Sequence, residues 1–150
     1  MSAISMLAVC AVLVACVRPA KGPETPRIEE ALDTTVRVDV LPDVHGSAVV
    51  IDAKNGLLLT CHHVSGEGEH VLLVNISEND GPAVAYPASV VIWNRELDLA
   101  VIKVGYRFNS EVVLASDDEI HVLDQIYSVG FPHDLGELAG KGYVQAVHYD

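Results

Sequence analysis

Five consecutive residues, Val36-Arg37-Val38-Asp39-Val40, alternate strictly between apolar and polar. A period of two puts every apolar side chain on one face of an extended strand, and it makes no stripe on a helix. Similar runs recur along the chain, bounded by turn residues: 46–51, 57–61, 71–76, 86–93, 99–104, 126–130 and 143–147. Between the runs at 46–51 and 57–61, Lys54-Asn55-Gly56 carries the Asn-Gly pair that a tight hairpin favours. Pro87 lacks an N–H to give to a ladder, so it moves the start of its strand toward an edge or a bulge. No long amphipathic helix follows residue 34, and strands do not alternate with helices as a parallel α/β sheet requires. The expected fold class is therefore all-β, a barrel or a sandwich.

The first residues read as an address. Ile4 to Ala15 is almost wholly apolar, a stretch that suits the core of a signal peptide better than a spanning helix, although Met1 to Ala3 carries no Lys or Arg. Leu13-Val14-Ala15-Cys16 resembles the bacterial lipobox, which implies cleavage before Cys16 and a lipid on that cysteine. Residues 1–15 are then a lipoprotein-type signal peptide. Residues 16–34, with Pro19, Pro23 and Pro26, read as a tether, within which Ile28 to Leu32 suits a short helical turn.

Composition narrows the function classes. The 150 residues suit about one domain, and 50% hydrophobic residues supply a core. Nine Lys and Arg stand against 21 Asp and Glu, a formal net charge of −12, which argues against a nucleic-acid partner. Three cysteines make no disulfide scaffold. No compact C-x-x-C or H-E-x-x-H spacing occurs, and adjacent His62 and His63 on an extended segment point to opposite faces, so neither a metal nor a cofactor is expected.

Three ordered segments carry the chemistry. Gly46-Ser47-Ala48-Val49-Val50-Ile51-Asp52 leads through the hairpin to Leu59-Thr60-Cys61-His62-His63-Val64. Glu96-Leu97-Asp98-Leu99-Ala100-Val101-Ile102-Lys103-Val104 follows, and Ser128-Val129-Gly130-Phe131-Pro132 comes last. In this order they resemble the chymotrypsin-fold, trypsin-like serine peptidases, most closely the HtrA (Deg) type, over residues 36 to 150. The resemblance implies a double β-barrel, with the first barrel complete over residues 35–115 and the second begun but incomplete over 116–150. It places Leu114-Ala115-Ser116-Asp117 in the linker between barrels, within an acidic turn that runs on to Glu119. It further implies that His63 is the general base, Asp98 the buried carboxylate that orients it, and Cys61 a small core residue. An imidazole titrates near working pH and can take and return a proton, while a carboxylate fixes its tautomer.

One part of the family pattern is missing. The nucleophile of these enzymes lies in a G-x-S-G-G loop that also donates oxyanion-hole N–H groups, and no such segment occurs in the 150 residues. Ser65-Gly66 is the single Ser-Gly pair, and it follows His63 directly. Three expectations follow: a truncated or split reading frame, a second chain that supplies the serine, or a surviving non-catalytic form. The function expected is a serine endopeptidase acting on polypeptides from the bacterial cell envelope, inactive as this chain alone. The alternative is an envelope lipoprotein whose protease-like barrel serves as a binding module.

Overall fold

The computed structural model describes residues 25–68, 70–77, 81–115, 120–132 and 136–146. The expected signal segment, Cys16 and the acidic turn at 116–119 lie outside these residues. No helix among the described residues is long and apolar enough to cross a membrane.

The chain is nearly all β, as its alternation predicts. Helix α1 (Thr25–Asp33) precedes strands β1 (Thr35–Val40), β2 (Val44–Asp52) and β3 (Leu57–Cys61). The short helix α2 (His62–Ser65) follows, then β4 (Leu72–Ile76), β5 (Val84–Asn94) and β6 (Leu99–Val104). Two later strands, β7 (Gln125–Gly130) and β8 (Leu138–Tyr143), complete the described elements. The first six strands close a barrel in the order β1-β2-β3-β6-β5-β4, while β7 and β8 pair only with each other. The result is one finished barrel and the beginning of a second sheet.

The barrel closes because its alternating residues share one interior. Val38, Val50, Leu58, Val74 and Ile102, from five different strands, are completely buried, and Val40, Leu72 and Val104 nearly so. These β-branched and leucine side chains fit a pleated inner face, and each buried one contributes about 1.5–3 kcal/mol. Every strand of the barrel has two partners. In particular, β1 pairs with β4 through Val38↔Val74 and Val40↔Leu72, which removes any open edge.

Turn chemistry sets the register. Gly56 closes the β2–β3 hairpin with φ +66°, and a Cβ there would lie 2.3 Å from the Val104 carbonyl oxygen and 2.6 Å from that of Tyr106. Asp52 receives the Asn55 backbone N–H at 2.9 Å, and the ladder shifts register between Val50 and Asp52. Pro87 sits opposite Leu73 of β4, and pairing of β5 with β6 begins only at the next residue, Ala88, so the proline lies on the stretch of the strand that is still an edge, while the bulge falls between Val90 and Ile92.

Two expectations about elements change. Residues 25–33, read as part of a tether, form α1, which lies against β1 and β7. Its proline falls in the first turn, where a missing N–H costs nothing. At its end the Thr34 hydroxyl donates to the Glu30 and Ala31 carbonyls and the Thr35 hydroxyl to that of Ala31, satisfying orphan acceptors. The last strand is Leu138–Tyr143 rather than 143–147, because its register is imposed by β7, from Gln125↔Tyr143 to Gly130↔Leu138.

Candidate active site

The third strand ends at Cys61, whose backbone is still extended at φ −79° and ψ 143°, and the chain then turns into α2. Pairing of β3 with β6 runs to Cys61↔Leu99, which brings the start of α2 beside the residue just before β6. That residue is Asp98. It has φ +52°, a left-handed conformation that Asp tolerates better than most residues. Its own N–H donates to the Arg95 carbonyl at 3.3 Å, so a tight turn aims the side chain back at α2.

The carboxylate receives two hydrogen bonds from one residue. His63 Nδ1 lies 2.6 Å from Asp98 Oδ2, and the His63 backbone N–H donates to Oδ1 at 2.9 Å. A third contact, from the His62 backbone N–H to the Asp98 carbonyl at 3.1 Å, fastens the turn. An ionised carboxylate can only accept, so the proton in the short contact sits on Nδ1, and in the neutral ring the lone pair is on Nε2. Burial pushes the Asp98 carboxyl up, but the His63 N–H, the His63 ring and the nearby histidine charge outweigh it and hold the group below its ordinary 3.8. The pair is more open than the buried carboxylate expected: the side chains are 44% exposed for His63 and 40% for Asp98.

His62 and His63, expected on an extended segment, are instead the first two residues of α2, and their rings have different surroundings. The ring of His62 packs against Trp93 at 5.2 Å between centroids, with Glu67 Oε1 at 3.9 Å from Nε2. That nitrogen is out of contact with solvent and has no hydrogen-bond partner among the described residues. His45 is elsewhere on the barrel, with its Nδ1 2.7 Å from Asp39 Oδ1. Cys61 is buried in the core cluster, where a small apolar residue was expected.

The Gly46-Ser47 pair of the first segment holds the surroundings together. A Cβ on Gly46 would lie 2.7 Å and 2.8 Å from the two methyls of Val64, so only glycine lets β2 approach α2 this closely. Ser47 reaches the other way. Its Oγ accepts the Phe131 backbone N–H at 2.8 Å, and its carbonyl accepts the Thr60 hydroxyl at 2.8 Å. The sequence pattern marked these residues but did not disclose that they tie the barrel to the second sheet. The Asp98 carbonyl that holds the His62 N–H had no sequence signal, because its partner is chosen by strand register alone.

Comparison with known proteins adds to this geometry. A family model described as a trypsin-like peptidase domain matches residues 46–150. A probable periplasmic serine endoprotease, DegP-like, of Buchnera aphidicola subsp. Baizongia pistaciae is 29% identical over 104 residues, which cover 69% of this chain and 21% of that protein. The periplasmic pH-dependent serine endoprotease DegQ of Escherichia coli is 29% identical over 103 residues, covering 68% and 22%. The periplasmic serine endoprotease DegP of Salmonella typhimurium is 31% identical over 103 residues. The chain thus spans about a fifth of the length of the curated relatives it matches. The crystal structure of Deg5 superposes with a TM-score of 0.71 at 21% identity, covering 87% of this chain and 68% of that one, which shows a common fold.

Proposed function

Since the chain belongs to the trypsin-like peptidase domain family and its curated relatives include DegP-like and DegQ endoproteases, we propose that it carries the base and the orienting carboxylate of a serine endopeptidase of the HtrA (Deg) type. The observation that carries this reading is the double grip of Asp98 on His63, at 2.6 Å to the ring and 2.9 Å to the backbone N–H. The backbone bond fixes where the imidazole starts and the ring bond fixes its tautomer. Nε2 is thereby left as the acceptor. In the proposed reaction it takes the proton of an attacking serine hydroxyl and returns it to the leaving amine, while Asp98 stabilises the imidazolium that forms between the two steps. The substrate class is polypeptide, the class on which the endoprotease relatives act.

The serine is assigned to a segment outside these residues, either later in a longer reading frame or on a second chain. An envelope location, with Cys16 lipidated, completes the proposal. It draws on the lipobox-like Leu13-Val14-Ala15-Cys16 and on relatives described as periplasmic. Metabolic labelling with a fatty acid, lost in Cys16→Ser, tests the anchor.

The central experiment expresses the gene with its natural downstream sequence and follows hydrolysis of casein. His63→Ala should abolish hydrolysis, and Asp98→Asn should lower kcat by about 10⁴-fold through the wrong tautomer. Hydrolysis that survives His63→Ala overturns the assignment. If no hydrolysis occurs at all with the downstream sequence present, the binding-module reading takes its place.

A further inference from the structure

The dyad has a third neighbour that proton transfer does not use. Cys61 is two residues before His63 and ends β3, opposite Leu99. One ligand atom each from Cys61, His63 and Asp98 (the thiol sulfur, a ring nitrogen and a carboxylate oxygen) lie within 4.8 Å of one another. The arrangement has a local cause. Cys61 is the last extended residue before α2 and His63 is the second residue of that helix, and the turn between them brings their ligand atoms together while the His62 ring packs against Trp93. The left-handed turn at Asp98 then supplies the third group from across the sheet. Compact ligand spacing is absent from the sequence because this third donor is delivered by the fold.

We propose that Cys61, His63 and Asp98 form a binding site for a zinc-class divalent cation, and that the bound ion holds the dyad in a form unable to act as a base. Sulfur, imidazole nitrogen and carboxylate oxygen are the donor set that zinc takes, whereas magnesium and calcium take oxygen alone. Zinc bonds of about 2.0–2.3 Å at tetrahedral angles put neighbouring ligand atoms about 3.3–3.8 Å apart. The His63–Asp98 contact at 2.6 Å must open, and the widest pair must draw in by about 1 Å. Exposed His63 and Asp98 side chains can turn this far. Their open side leaves a fourth position for water, as in zinc sites with three protein ligands.

The proton count is simple. Cys61 gives its thiol proton to solvent, Asp98 is already ionised, and no group changes oxidation state. Bonding through Nε2 uses the lone pair that a base needs. Bonding through Nδ1 displaces the proton there to Nε2, and the lone pair is again gone. Either nitrogen therefore gives the same result. Binding of the ion stands without the peptidase reading; its consequence for catalysis rests on that reading.

The test uses the full 150-residue chain in a Cys10→Ser, Cys16→Ser background, so that Cys61 is its sole thiol. Co²⁺ is the optical probe, through a sulfur-to-cobalt charge-transfer band in the near ultraviolet, and Zn²⁺ affinity is read by competition with a metallochromic indicator. The expected result is one ion per chain, the cobalt band present, and Zn²⁺ binding weakened at least about tenfold by Cys61→Ser and by His63→Asn, each separately. Absence of the band, or an affinity indifferent to either substitution, overturns the site. His63 is exposed, so His63→Asn remains informative if Cys61→Ser fails to fold. No hydrolysis is measured, so this result and the casein assay fail independently of each other.

Discussion

At the scale of single residues, two aspartates carry the electrostatics. Asp39 lies on the barrel's outer face, where burial pushes its carboxyl up. Hydrogen bonds from Arg37, His45 and Asn75 and the Arg37 charge outweigh this and hold it below 3.8. Asp98 is lowered in the same sense by His63. A carboxyl whose folded pKa is depressed adds stability that is complete above its unfolded value. That stability is lost as pH falls through the folded one. Stability should therefore decline from about pH 4 downward, and Asp39→Asn should make the decline shallower. Urea midpoints measured between pH 5 and pH 2 check this, and parallel slopes for the two proteins would contradict it. The choice of His63 over His62 rested on the resemblance, in which the base directly precedes a valine, here Val64. The exposure of Asp98 was not legible, because it depends on what packs beside it.

At the scale of elements, the β2–β3 hairpin is the most demanding turn described. A methyl on Gly56 would meet two backbone carbonyls at 2.3 Å and 2.6 Å in a left-handed conformation, and backbone cannot yield as a side chain can. Gly56→Ala should cost more than the 1 kcal/mol or so of an ordinary glycine replacement, about 2–4 kcal/mol, seen as a lowered thermal midpoint. An unchanged midpoint would show that the turn rearranges freely. The Asn-Gly signal made this turn readable, and strict alternation did the same for β1 and its neighbours. Strand β8 was less readable. Its sequence Leu138-Ala139-Gly140-Lys141-Gly142-Tyr143 has two glycines and a lysine, poor strand formers alone, and it is extended because β7 offers it a ladder. The more apolar run that begins at Tyr143 drew the expectation downstream. Helix α1 was masked by the prolines around it, since composition marks a tether while position within the first turn permits a helix.

At the scale of the molecule, a closed barrel and a separate two-stranded sheet are joined where α1, β1 and β2 meet β7. Ser47 supplies one defined link through the Phe131 N–H at 2.8 Å. Ser47→Ala leaves that part-buried donor without this acceptor and should weaken the junction by about 1–2 kcal/mol. Hydrogen exchange should then quicken at Phe131 and along β7, while amides of the barrel's inner strands keep their protection. Equal quickening in both would mean that barrel and sheet open as one unit. The all-β class and the order of the motifs were readable from sequence at this scale, because period and turn signals are local. The closure of β1 on β4 was not, because no local pattern names a strand's distant partner. That closure also bears on timing. His63 is synthesised 35 residues before Asp98, and the two meet only when β6 has emerged and zipped onto β3 as far as Cys61↔Leu99. A nascent chain still short of that strand has the imidazole but nothing to orient it. The dyad therefore waits for the last strand of the barrel, and a nascent barrel short of β6 is chemically unarmed.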